Sequence, residues 1–238
     1  MKTCSKVMVV AAILALGFAS GAGAAPTGTV TMSYTGVSPG GTCTIWGGQW
    51  PGGQAVYAGF YDHIKTAGTG EGFLIPDGPI MTLCIELPQS PEPADTVYDV
   101  LLATEAPLPS AYGTPMGEVK QNLLRELWGR HYSEALLSND KALVIQECVW
   151  EIVYEDLSTN VLDVNTGAFK ADGSTVLANT WLGELDGSGF KAPLRALSNP
   201  DHQDYVIDCV GYGIPEPATL AFLALGLVGL VVRRRRPK

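Results

Sequence analysis

Two residues of reactive type, Cys84 and Gln146, lie in strongly apolar stretches of the chain. Cys84 is flanked by Leu83 and Ile85 in the run TLCIEL, a pattern that predicts a buried strand. Gln146 lies in SNDKALVIQECVWEIVYED, which predicts a helix over residues 138–156. A buried amide without a partner costs roughly 1–3 kcal/mol, so a neighbour must satisfy this amide or the protein must use it chemically.

The predicted helix places Gln146 at the centre of an apolar stripe. Ser138 is a plausible N-cap, and Asp140 puts a negative charge in the first turn, where it suits the helix dipole. At about 100° per residue, six apolar residues fall within about 60° of the glutamine. They are Ala142, Leu143, Val149, Trp150, Val153 and Leu157. The carboxylates of Glu147, Glu151 and Glu155 point elsewhere.

Both motifs resemble those of bacterial thioester adhesion domains. In that family a strand cysteine and a helix glutamine, the latter in a hydrophobic-Gln-x-Ala-hydrophobic-Trp motif, join as an internal thioester. Here Cys84 follows Leu83, and the segment from Ile145 to Trp150 reads IQECVW. The motif differs at Cys148, which stands where the family has Ala. A second thiol there could intercept the acyl group or pair with Cys84. The resemblance is close over the two motifs and loose over residues 30–210.

The resemblance implies a specific acyl chemistry. The thiolate of Cys84 attacks the carboxamide carbon of Gln146 and expels ammonia, and an amine or hydroxyl of a partner then takes the acyl group. The bond has to be shielded from water, for which we expect Trp150, Tyr154 and the Tyr57–Tyr61 segment. The chain is therefore predicted to be a covalent adhesin. We expect no enzymatic activity.

The first 24 residues have the features of a secretory signal peptide. Lys2 and Lys6 precede the apolar run Val7–Phe18, and the small residues Ala22, Gly23 and Ala24 follow. This pattern predicts cleavage after Ala24 and export of the rest of the chain.

The last 25 residues, 214–238, have the three parts of a sorting signal. The parts are Pro215, Glu216 and Pro217, then the apolar run Leu220–Val232, then Arg233, Arg234, Arg235 and Arg236. We predict one transmembrane helix here: the run is short for a bilayer, but arginines can snorkel to its surface. The positive-inside rule keeps the arginines cytoplasmic. The order of parts resembles the PEP-CTERM signal of Gram-negative bacteria. It implies transient anchoring in the inner membrane, processing by an exosortase, and a final place on the outer surface or in the extracellular matrix.

Residues 25–213 remain as one secreted domain. The formal charge of the chain is −9, and four of its positive charges are in the arginine cluster, so the domain is acidic. This composition argues against nucleic-acid binding, which needs basic patches. No Cys-x-x-Cys pair occurs, and His63, His131 and His202 are scattered, so we expect no metal and no cofactor.

The order of predicted elements indicates an α+β fold, an antiparallel β barrel or sandwich with a helical insertion. Strands alternate with glycine-rich turns, such as one at Gly36–Gly41, before two adjacent helices. The first of these covers residues 118–128, and a last strand is predicted over 205–210.

Two other functions are compatible with the same residues. Cys43, Cys84, Cys148 and Cys209 enter an oxidising compartment and allow three pairings, with Cys43–Cys209 able to staple the domain ends. A disulfide-stapled structural protein of a biofilm or exopolysaccharide matrix would then carry Gln146 as a satisfied core amide. A cysteine hydrolase would need His63 or His131 beside Cys84.

Overall fold

The computed structural model describes residues 25–47, 49–108 and 115–209, so the predicted signal peptide and sorting tail lie outside it. The strands are β1 Gly28–Gly47, β2 Trp50–Gly70, β3 Gly78–Cys84, β4 Thr96–Leu102, β5 Phe169–Ala171, β6 Leu194–Asn199 and β7 His202–Asp208. The helices are α1 Gly117–Ala135, α2 Asn139–Tyr154 and α3 Thr175–Gly183, with 3-10 turns at Glu71–Leu74 and Ala103–Glu105. Across the described ranges, no helix combines the length and apolarity needed to cross a membrane.

All strand pairings are antiparallel, and they form a closed circuit. The order β2-β3-β7-β6-β4-β1 is completed by pairing of β1 with β2, and β5 joins the far end of β1. The length of β1 allows the circuit to close, because its first residues pair with both β2 and β4. Its last residues pair with β2 and β5. The helices α1 and α2 lie between β4 and β5 in the chain. The predicted α+β class, with antiparallel strands and a helical insertion, is confirmed.

The predicted turn at Gly36–Gly41 is wrong, because β1 runs through it without reversing. The register with β2 shifts between Tyr34 and Gly36 and again between Val37 and Gly40, which are bulges within the pairing. A Cβ atom at Gly40 would lie 2.6 Å from the carbonyl oxygen of Ala58. The glycine therefore permits close approach of two paired strands rather than a change of direction.

The helix α2 is the central element of the core. Ser138 caps it, its Oγ accepting a hydrogen bond of 3.2 Å from the backbone N–H of Lys141. Every residue from Ala142 to Tyr154 is buried, and the helix contacts α1, α3 and strands β1, β2, β3 and β5. Burial on all sides fixes the position of each side chain on this helix, including that of Gln146.

Candidate functional site

The structure brings Cys84, the last residue of β3, into direct contact with Gln146 in the middle of α2. The backbone N–H of Cys84 donates to Oε1 of Gln146 at 2.9 Å, and Nε2 of Gln146 donates to the carbonyl oxygen of Cys84 at 2.8 Å. Both residues have no exposed surface. The two hydrogen bonds hold the carboxamide carbon beside the residue that carries the thiol.

The sheet leaves room for this contact at the end of β3. The ladder between β2 and β3 stops at the pair Tyr61–Thr82, and the next backbone N–H beyond Cys84, that of Ile85, donates to Asp204 on the other side. The N–H and C=O of Cys84 therefore bond to the side chain of Gln146, which takes the place of a strand. The end of β3 and the apolar stripe of α2 together position Cys84 and Gln146.

The thiol of Cys84 has polar neighbours of its own. It donates to the carbonyl oxygen of Glu86 at 3.2 Å and accepts from the indole N–H of Trp150 at 3.4 Å. Tyr61 lies on the same face of the sheet, since it pairs with Thr82, two residues before Cys84. Burial raises the pKa of the thiol to about 12, against the lowering effect of the Trp150 hydrogen bond. The thiol is thus protonated at neutral pH until a reaction removes the proton.

The residues predicted to support the pair occupy different places. Trp150 contacts the sulfur, and the hydroxyl of Tyr154 accepts a hydrogen bond of 2.7 Å from the N–H of Leu87 just after the site. Tyr57 is half exposed and bonds to Gly40, so it does not cover Cys84. The Tyr57–Tyr61 segment contributes to the site through Tyr61.

The second thiol of the motif points away from the pair. The sulfur of Cys148 lies 3.5 Å from the carbonyl oxygen of Ala178 on α3, with which it forms a weak hydrogen bond. Since Cys148 follows Gln146 by two helix positions, about 200° of rotation separates their side chains. Burial raises the pKa of this thiol well above its ordinary value. Cys148, which stands where the motif has Ala, therefore packs in the core against α3.

An interior cluster of aromatic rings lies beside Cys84. Tyr205 pairs with Cys84 across β3 and β7, and its ring centroid lies 5.6 Å from that of Tyr61 and 4.6 Å from that of His63. Burial lowers the pKa of His63 to about 4, so its imidazole is neutral. Its Nδ1 lies 3.1 Å from the carbonyl oxygen of Tyr61 and donates to it, and its Nε2 has no partner. This side of the site is therefore polar but uncharged.

Sequence reasoning missed the role of three buried glutamates, two on α2 and one at its C-cap. Glu147 accepts from the backbone N–H of Gly173 at 2.9 Å, Glu151 from that of Asp163 at 2.8 Å, and Glu155 from that of Ala168 at 2.7 Å. Burial raises the pKa of Glu147 to about 7 and that of Glu151 to about 8. The carboxylates attach residues 163–174 to the helix that carries Gln146. Their regular spacing of four residues was the available signal.

The four cysteines in the described part of the chain are separate buried thiols. Cys43, Cys84, Cys148 and Cys209 are all unpaired, so the possible Cys43–Cys209 staple is not formed. Cys43 is close to the carboxylate of Glu147, which helps to raise its pKa. Within the described ranges, no group of histidine, cysteine and carboxylate side chains has the arrangement of a metal site.

Comparison with known proteins identifies the C-terminal segment. Residues 213–236 match the PEP-CTERM protein-sorting motif. This motif marks a chain for export, for transient anchoring in the membrane and for processing by an exosortase. Neither the curated proteins nor the solved structures contain a match to the chain. The predicted sorting function is thereby confirmed, while the residues of the motif lie outside the described structure.

Proposed function

We propose that the domain between the two targeting segments forms an internal thioester between Cys84 and Gln146 and acts as a covalent adhesin. On this proposal, the exported protein reaches the outer cell surface or the extracellular matrix and acylates an amine or hydroxyl of a partner there. The observation that carries the proposal is the bidentate contact of the Gln146 amide with Cys84, in a site with no exposed surface.

The contact favours attack on the amide carbon. When the sulfur of Cys84 adds to this carbon, negative charge develops on Oε1 of Gln146. That oxygen already accepts the backbone N–H of Cys84 at 2.9 Å, so a donor is in place where the charge forms. The second hydrogen bond, from Nε2 to the Cys84 carbonyl oxygen, prevents rotation of the amide. Both bonds lower the entropic cost of reaching the reactive geometry.

The proposed reaction has two balanced steps. In the first, an S–C bond forms, the C–N bond of the carboxamide breaks, and the thiol proton leaves with the nitrogen as ammonia. In the second, an amine of the partner adds to the same carbon, a new C–N bond forms and the C–S bond breaks. The proton lost by the amine returns to sulfur, so Cys84 ends as a free thiol and Gln146 is bonded to the partner. Each chain reacts once.

Burial explains how such a bond would survive in water. Cys84, Gln146 and Trp150 have no exposed surface, and Tyr154 is tied to the backbone of Leu87 beside them. Excluding water protects an acyl sulfide from hydrolysis. It follows that the partner has to displace part of this cover before it reacts.

The competing functions have weaker support from the same contacts. A disulfide-stapled matrix protein would use its cysteines in pairs, yet all four lie as separate buried thiols. A cysteine hydrolase would hydrogen-bond a histidine to its thiol. The hydrogen bonds of the Cys84 thiol are with Glu86 and Trp150.

The decisive experiment is an intact mass of the exported protein, purified without reductant and measured before and after treatment with methylamine. A thioester makes the chain lighter by one ammonia, and methylamine restores mass by adding to Gln146, which peptide mapping would locate. Gln146→Ala and Cys84→Ser are the matched controls, since each removes one end of the bond. A full-mass chain with a titratable thiol at Cys84 would contradict the proposal. It would favour a structural protein in which Gln146 is a hydrogen-bonded amide of the core.

A further inference from the structure

The sulfur of Cys84 is a difficult leaving group in its observed surroundings. When the partner's amine displaces it, the electron pair of the C–S bond moves to sulfur. The sulfur then carries negative charge in a site without exposed surface. Buried charge without hydrogen bonds is strongly unfavourable, so release of sulfur requires donors directed at it.

Two side chains that can donate a hydrogen bond, on different elements, are directed into the interior that holds this sulfur. The indole N–H of Trp150, one turn after Gln146 on α2, lies 3.4 Å from it. Tyr61 pairs with Thr82 across β2 and β3, and Cys84 lies two residues beyond Thr82 on the same face of the sheet. The Tyr61 side chain is thereby directed to the same interior as the thiol, where its ring centroid lies 5.6 Å from that of Tyr205, the residue that pairs with Cys84. The helix and the sheet each contribute one donor.

We propose that Tyr61 and Trp150 form a donor pair that stabilises the sulfur of Cys84 as it leaves the acyl group. This inference rests on the proposed thioester, and it assigns a catalytic role to Tyr61, which lies outside both sequence motifs. In the transfer step the C–S bond breaks, the two donors hydrogen-bond the sulfur, and the proton released by the attacking amine then neutralises it. Tyr61 and Trp150 themselves keep their protons throughout.

The ionisation behaviour of the surroundings agrees with a donating tyrosine. Burial, followed by the nearby Cys84 thiol, raises the pKa of Tyr61 well above its ordinary value, so the hydroxyl carries its proton. Glu86 and Asp204 also lie near the sulfur, and in their ionised forms both disfavour a thiolate at Cys84. Tyr205 faces the same interior, and burial raises its pKa as well.

The test measures how fast the thioester of the exported protein is consumed by methylamine in three variants. Tyr61→Phe and Trp150→Phe each remove one donor and keep an aromatic ring. Tyr98→Phe is the matched control, since Tyr98 is buried and its ring lies 6.0 Å from that of Tyr205. One hydrogen bond to a charged group corresponds to a rate loss of about 10- to 100-fold. We expect that loss in both donor variants and a change of less than about twofold in the control.

A second readout separates donation from packing. After methylamine has consumed the thioester, the pKa of the free Cys84 thiol is measured from the pH dependence of its alkylation. Loss of a donor raises this pKa in Tyr61→Phe and leaves it unchanged in Tyr98→Phe. If Tyr61→Phe does not fold, the same two measurements on Trp150→Phe decide the matter.

The possible outcomes distinguish this inference from the function on which it rests. A wild-type protein that loses ammonia, together with donor variants that react at the wild-type rate, would overturn the donor pair alone. A wild-type protein of full mass would overturn both the donor pair and the thioester. Slow transfer with a raised thiol pKa in the donor variants would support both.

Discussion

Replacing Gln146 by glutamate gives the sharpest test of the contact between α2 and β3. The amide accepts from the N–H of Cys84 and donates to its carbonyl oxygen. A protonated glutamate preserves both hydrogen bonds because its O–H can replace the amide donor. An ionised glutamate has no donor and would place a negative charge against the carbonyl oxygen in a fully buried site. The substitution therefore makes the stability of the fold depend on pH.

The direction and size of this pH dependence follow from the linkage between protonation and folding. Burial raises the pKa of the new carboxyl in the folded protein above its unfolded value of about 4.3. The free energy of unfolding of Gln146→Glu is therefore highest below about pH 4.3. Above this pH it falls by about 1.4 kcal/mol for each pH unit, until the folded-state pKa is reached. With a folded-state pKa of 7 or more, Gln146→Glu loses about 4 kcal/mol by pH 7 relative to acid pH.

The assay is denaturant unfolding of Gln146→Glu and of the wild type at about pH 4.5 and pH 7.5, followed by far-UV circular dichroism. The wild-type difference between the two pH values is subtracted, which removes the titration of other buried acids such as Glu147 and Glu151. A difference near zero after this subtraction would refute the bidentate contact. The same variant should show no mass loss of ammonia, because it has no carboxamide.

Three further predictions concern other parts of the chain. Glu151→Gln keeps an acceptor for the N–H of Asp163 and removes a group whose pKa burial raises to about 8. Ionisation of Glu151 therefore lowers the wild-type free energy of unfolding as pH rises from about 4.5 towards 8. The variant should avoid this loss, which amounts to about 4 kcal/mol at pH 8, in the same unfolding assay. Cys148→Ala should cost about 1 kcal/mol and leave amine capture intact, because its sulfur faces Ala178; loss of capture in mass spectra would contradict the assignment of Cys84. Replacing Pro215–Pro217 by alanines should leave the exported chain unprocessed in the membrane fraction, as seen by its mass, whereas processing at the normal rate would contradict the role of the motif.

The sequence predicted the site better than the strands around it. Ser138, the apolar stripe and the central glutamine were sufficient to define α2 within two residues at each end, because the helical period is repeated over four turns. The short apolar run around Cys84 was sufficient to place it on a strand. The contact between the two depends on where the β2–β3 ladder stops, and no local pattern encodes that.

The glycine-rich segments show why strand limits were harder to predict. Glycines at 36, 40 and 41 suggest a turn, yet β1 continues through them for a total of 20 residues. The absent side chain of Gly40 allows close contact with β2, and that of Gly41 leaves room for Leu143 of α2. Both needs arise from neighbouring elements rather than from the local sequence. The strand β6, Leu194–Asn199, had no predicted counterpart because its pattern is short and mixed.

The glutamates of α2 show that the helix has two functions in the fold. On one side, Gln146 and Trp150 reach Cys84; on the other, Glu147 and Glu151 bind the backbone of residues 163–174. Buried carboxylates are costly unless they accept hydrogen bonds, so the observed contacts fix both the segment and the helix beneath it. A helix fixed on both sides holds its amide in one orientation, which is what an intramolecular reaction between an amide and a thiol needs. The glutamates therefore support the proposed chemistry by fixing the helix that carries Gln146.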